Sequence, residues 1–296
     1  ARRVPARQMG GVDMRDIFTY VNDKGDALAF SAANGYRIAS ITGTSGIPVS
    51  ANQAQGIGQI GTTVQSRVVQ SVPMTITGYI FGTRAQIEQR AEKLFAVVLP
   101  DVGGKLYHNG RYYRIVTPTS TPVVDSTLRF PGFQFSLLAP YPYWMLDQAT
   151  KTILTGVLPR FKFPWNISQP YRFGEVIETA FINIRNGGQV ACPFTATLNA
   201  KGPVVNPRLV NAITGEFLQL NRTMAAGERV TIQITHDLTY VTSTIDGDIR
   251  GDLELESTLS SMAVGDNLIK TEADTGASNL VASIDVSIEK VAILTC

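Results

Sequence analysis

The apolar and polar positions along this chain repeat mostly with a period of two. Val72, Met74 and Ile76 alternate with Pro73, Thr75 and Thr77 within 71–82, which predicts a half-buried strand. Phe133, Phe135 and Leu137 alternate with Gln134 and Ser136 in the same way. In the second half, Phe194, Ala196 and Leu198 share one face, as do Val230, Ile232 and Ile234, and then Ile284, Val286 and Ile288. Shorter β-like runs at 17–21, 27–31 and 36–42 are separated by Gly25 and Asn34-Gly35, as hairpin turns would be. Asn109-Gly110 between Leu106-Tyr107 and Tyr112-Tyr113 predicts a hairpin closed by a two-residue turn. Many short strands at near-regular spacing after residue 176 predict a sandwich or jelly roll.

One stretch departs from this period. Thr83 and Gln86 have capping-box spacing, and Ile87, Ala91, Leu94 and Val98 then fall on one helical face. Pro100 and Gly103-Gly104 stop the pattern, so a helix is predicted over 83–98. Residues 44–70 are rich in Gly, Gln, Ser and Thr and nearly lack large side chains. They cannot build a core of their own and read as an extended arm or a loop. Residues 139–144, Ala-Pro-Tyr-Pro-Tyr-Trp, contain two prolines that forbid a central strand. The expected organisation is a β-barrel-like or sandwich-like domain with one helix over 1–144, a linker over 145–175 and a β-sandwich over 176–296.

The length of 296 residues fits two domains at about 150 residues each. Charged residues are only 17% of the chain, which suits a protein that covers much of itself with partners. The net charge of +2 gives no electrostatic case for specific nucleic-acid binding or for membrane binding. Arg2, Arg3 and Arg7 make the start locally basic, which reads as a solvated terminus. The N-terminus has charge but no apolar segment, so no signal peptide is expected, and no apolar run reaches the ~18 residues of a membrane helix. Cys192 and Cys296 predict neither a disulfide framework nor a metal site.

Catalytic groups are scarce. His108 lies beside a turn and His236 at a strand end, and both read as exposed or locally hydrogen-bonded. No Gly-x-Ser-x-Gly, His-Glu-x-x-His or phosphate-binding loop is present. Cys192, followed by Pro193, has no histidine near it in sequence. Asp246-Gly247-Asp248 and Gly251-Asp252 lack EF-hand spacing and read as solvated turns. Arg250-Gly251-Asp252 spells an adhesion tripeptide, a match short enough to arise by chance. Glu254 and Glu256 read as one face of a charged, solvent-facing strand edge rather than a glycosidase pair. No catalytic, cofactor-binding or metal-ligating residue is expected, and no enzyme activity.

In the first half, Thr75-Ile76-Thr77-Gly78-Tyr79-Ile80-Phe81-Gly82 runs into the capped helix. Leu99-Pro100, Gly104-Lys105-Leu106, the Asn109-Gly110 hairpin, Phe133-Gln134-Phe135 and Pro140-Tyr141-Pro142-Tyr143-Trp144 follow. The second half carries Asn186-Gly187-Gly188, Cys192-Pro193-Phe194, Gly202, Asn206-Pro207, Asn211, Thr214-Gly215-Glu216, Gly227-Glu228 and Gly265-Asp266-Asn267. In this order and spacing the chain resembles the siphophage distal tail protein family. The resemblance implies a structural virion protein at the distal end of a long non-contractile tail, made in the host cytoplasm. It implies a first domain that closes a homohexameric ring and a second that is a galectin-like β-sandwich. The implied partners are the tail tube protein, a tip or hub protein and receptor-binding or attachment proteins, with DNA passing through the ring. Of the turn motifs, Asn206-Pro207 is expected to hold Asn206 extended. The rival reading is a host-glycan-binding adhesin module of the tail tip. For that, Trp144 and Trp165 are the two tryptophans that could stack on a sugar.

Overall fold

Alternation puts one face of each strand into a core, and the computed structural model has two such cores. It describes residues 17–125, 130–147, 150–154, 157–159, 174–176 and 181–293. The mainly β fold is borne out, with one α-helix among the described residues. The chain divides into two units: Ala1–Asp147 with Val291–Cys296, and Gln148–Lys290.

In the first unit, seven antiparallel strands run in the order Ala27–Phe30, Phe18–Asn22, Gly104–His108, Tyr112–Pro118, Gly132–Ala139, Val72–Ile80, Tyr36–Ile41. Asn109 and Gly110 have φ of 52° and 61°, the left-handed pair that a tight hairpin turn needs. The helix Arg84–Val97 buries Leu94 and Val97 among Phe18, Tyr20, Phe30 and Phe135. Gln86 Oε1 accepts the Thr83 backbone N–H at 3.0 Å, half of a capping box. At the other end, Asn22 Nδ2 donates to the Val97 carbonyl at 3.3 Å, which satisfies a carbonyl that the helix leaves unpaired. Mid-helix, Tyr36 O–H adds a bond to the Arg90 carbonyl at 2.8 Å.

The second unit packs two antiparallel sheets face to face. The larger runs Thr150–Leu154, Leu280–Val286, Phe194–Ala200, Arg229–Ile234, Thr239–Ser243, Gly247–Asp248. The smaller runs Ile182–Asn186, Gly265–Glu272, Arg208–Asn211, Phe217–Gln219. Ile184, Leu209, Leu218 and Ile269 from the small sheet share one core with Phe194, Ile232, Val241 and Ile284 from the large one. That is a β-sandwich.

Two boundaries differ from the sequence reading. The stretch 145–175 is not only linker, because Thr150–Leu154 pairs with Leu280–Val286 inside the second unit. Its prolines at 159, 164 and 170 lie beyond that strand, so they do not forbid it. The second unit also ends at Lys290 rather than at 296, and Ile293 is buried in the core of the first.

Candidate functional site

The arm read at 44–70 is a two-stranded ribbon. Val49–Ala54 pairs with Thr63–Val69, with a register shift between Asn52 and Gln53. Every side chain in both strands is exposed, and Ile57 and Ile60 at the tip are fully so. Alternation could not reveal these strands, because neither face is buried. The ribbon is rooted firmly. The Thr44 carbonyl accepts Trp144 Nε1–H at 3.1 Å and the Ile293 N–H at 3.4 Å. Gly43 has φ of 79°, and a Cβ there would meet the Pro73 carbonyl at 2.5 Å. Its own carbonyl accepts Arg114 Nη1–H at 2.7 Å. The Arg114 guanidinium lies 4.4 Å from the Trp144 ring, fully buried, with Nε and Nη2 unpartnered among the described residues. Burial lowers its pKa to about 10. Trp144 is therefore committed to the core and presents no face to a sugar. Trp165 lies outside the described residues, as do Arg2, Arg3, Arg7 and Cys296.

The residues weighed for chemistry are dispersed. His108 is buried against the Phe18 ring with its Nε2 3.3 Å from Asn109 Nδ2. His236 Nε2 is 3.2 Å from both oxygens of buried Glu289. Cys192 is fully buried, its Sγ 3.9 Å from the Met262 carbonyl. Burial, and then the charge of Glu289, push its thiol up to about 12, far from a nucleophile. The acidic turns surround an arginine. Arg222 binds Glu228 at 2.9 Å, Asp246 at 2.6 Å and Asp252 at 2.9 Å. Burial works against its charge, but these carboxylates outweigh it and raise its pKa. Asp252 of the Arg-Gly-Asp tripeptide is thereby engaged, and Asp248 accepts the Arg250 N–H at 3.1 Å. Among the described residues, no three His, Cys, Asp or Glu side chains group as metal ligands would. Glu254 and Glu256 do not share a strand face. They lie in the bend after the short 3-10 helix Arg250–Asp252, and Asn221 donates to Glu254.

The turn motifs of the second half prove to be clamps. Buried Asn186 donates to the Val190 and Met262 carbonyls at 2.9 and 3.0 Å and accepts the Gly188 N–H at 2.8 Å. Gly188 lies against the Glu289 carbonyl, which leaves no room for a Cβ. Asn211 accepts the Ile213 N–H at 3.0 Å, and Asn267 Nδ2 faces three carbonyls, of Ile184, Ala263 and Gly265. Asn206 is not extended. Its φ is 49°, stabilised by Nδ2 donating to Asp274 at 2.7 Å. Asn tolerates the left-handed region, and here that local bond outweighs the bias of a residue before proline.

Residues 187–283 match the family model described as siphovirus-type tail component, C-terminal domain. Among curated proteins, none matches at a significant level. Among solved structures, the crystal structure of Dit (gp 19.1) of phage SPP1 is 13% identical with a TM-score of 0.66, and the match covers 92% of this chain and 98% of that one. That protein is described as a paradigm of the hub adsorption apparatus in phages infecting Gram-positive bacteria. A chain of the phage P2 baseplate, in its activated conformation with Ca, is 12% identical with a TM-score of 0.50, covering 94% of this chain and 99% of that one. The resemblance to the distal tail protein family is borne out, by a family-model match within the second unit and by a likeness of fold along the chain.

Proposed function

We propose that this chain is a structural subunit of the hub at the distal end of a long non-contractile phage tail. In this reading it forms a ring that joins the tail tube to the tip or baseplate. The observation that carries the reading is the end-to-end likeness to a hub protein: 92% of this chain and 98% of that one superpose. The tail-component match over 187–283 supports it independently, from sequence alone.

Head-to-tail contacts close into rings when the rotation per subunit divides the circle. The ribbon of 49–69 suits such a contact, with two unpaired strand edges and exposed Val49, Val64, Val68 and Val69. In the ring it lies on the neighbouring copy. Six copies follow from the resemblance. One face of the ring docks the terminal tube ring and the other the tip protein, DNA passes through the middle, and attachment proteins hang from the outer, galectin-like unit. The protein folds in the host cytoplasm and works in the virion, with no catalytic role.

Antibody labelling of intact particles, followed by electron microscopy, tests this. Label at the tail end of each particle is expected. Particles whose tails carry none would reject the proposal.

A further inference from the structure

The small sheet of the second unit carries a solvent-open cavity of about 350 Å³. Small-molecule sites span roughly 300–1,000 Å³, so it has room for a compact ligand. Asn206, Arg208, Gln219, Glu272 and Asp274 are among its lining residues. Strand register puts Arg208 directly opposite both Gln219 and Glu272, which makes a row across three strands. Leu209 and Leu218, the next residues along, point into the core, so the row faces outward.

The row is set before any ligand arrives. Glu272 accepts Arg208 Nε–H at 3.1 Å and Nη2–H at 2.5 Å, and it also accepts from Lys270. Burial acts to raise the Glu272 pKa, but the two cations outweigh it and hold the carboxyl below its ordinary value. Arg208 lies 5.6 Å from the Phe217 ring centroid and Lys270 5.2 Å from that of Phe181, which restrains both side chains. Asn206 is pinned by its bond to Asp274, and Gln219 Nε2 donates to Asn221 at 3.0 Å. Arg208 Nη1, Gln219 Oε1, Asn206 Oδ1 and Asp274 Oδ1 then remain without a hydrogen bond among the described residues.

Charge selects the ligand class. Arg208 and Lys270 balance Glu272 and Asp274, and both cations are already engaged on Glu272. An anionic ligand would have to compete with that carboxylate. A hydroxyl, in contrast, both donates and accepts, which suits the N–H groups of Arg208 Nη1 set beside the oxygens Gln219 Oε1, Asn206 Oδ1 and Asp274 Oδ1. We infer that this cavity binds a neutral saccharide through adjacent hydroxyls, with Arg208 donating and Gln219, Asn206 and Asp274 accepting. The site does not depend on the hub role and would add surface recognition to it.

The test is to screen the full chain on an array of neutral and anionic oligosaccharides, then titrate the best-retained neutral oligosaccharide by calorimetry. Expected is retention of neutral oligosaccharides with adjacent hydroxyls, with Kd below ~1 mM. Gln219→Ala should weaken binding about tenfold or more at unchanged Tm, and Asp274→Asn, which keeps one oxygen to accept from Asn206, should weaken it by a similar factor. Among the described residues the Gln219 side chain bonds Asn221 alone, so its truncation leaves the fold intact. Retention of anionic oligosaccharides alone, no neutral binding, or variants that bind as the parent does would each overturn the inference.

Discussion

Three backbone carbonyls, of Ile184, Ala263 and Gly265, face the single amide nitrogen of buried Asn267. A leucine of similar size fills the space but leaves those carbonyls without a donor. An unsatisfied buried polar group costs about 1–3 kcal/mol, so Asn267→Leu should destabilise the second unit by roughly 3 kcal/mol in urea unfolding. A change near zero would show that water replaces the amide. A second residue-scale expectation concerns alkaline pH. Cys192, at about 12 against an ordinary 9, and Tyr20, at about 12 against 10, keep protons in the folded state that the unfolded chain gives up. Stability from such groups is full below the unfolded pKa and drains away as pH rises towards the folded one. Arg114, lowered to about 10, acts oppositely but only above that pH. Between pH 9 and 10 Cys192 therefore dominates these three, with a slope of roughly 1 kcal/mol per pH unit. Cys192→Ala should flatten the fall of the second unit's melting temperature across that interval. An equal slope in the variant would assign the loss to other groups.

At the scale of elements, the ribbon separates folding from assembly. Its strands bury no side chain, while its root at Gly43 and Thr44 is tied to Arg114, Trp144 and Ile293. Excising 49–69 with a short Gly-Ser turn should therefore change stability by under about 1 kcal/mol, since no core contact is lost. Assembly of the proposed ring, measured by native mass spectrometry or by incorporation into tails, should fail. Assembly at the parent level would refute the proposed role of the ribbon. Legibility followed burial. The helix was readable because Gln86, Leu94 and Val98 each meet a specific local or core demand. The central strands were readable because one face of each is buried. The ribbon was readable only as lacking a core: Thr63–Val69 alternates against nothing, so no period marks its pairing. The saccharide row was hidden for a different reason. Arg208, Gln219 and Glu272 are up to 64 residues apart in sequence, and only sheet register makes them neighbours.

The whole molecule is a discontinuous unit with a continuous one inserted in it. Near its two ends the second unit pairs Thr150–Leu154 with Leu280–Val286, Thr150 opposite Val286, so the chain enters and leaves it close together and an insertion leaves the host unit's topology undisturbed. The short return segment after Lys290 was illegible as part of the first unit, because six residues carry no period of their own. Its role rests on Ile293, which is 8% exposed within the core that holds Trp144 and Phe135. Its backbone N–H also donates to Thr44, at the root of the ribbon. A chain ending at Lys290 loses that side chain and that bond together. Removing a buried aliphatic side chain costs about 2–5 kcal/mol, and a unit of this size shifts by roughly 2–4 °C per kcal/mol. In calorimetry the truncated chain should show the first unit's transition lowered by roughly 5–15 °C, with the second unit's transition in place. Because the segment also holds Thr44, ribbon amides should exchange hydrogen faster in the truncated chain, although none of them is removed. A transition lowered in the second unit instead would place the last residues with Leu280–Val286 and refute the discontinuous first unit.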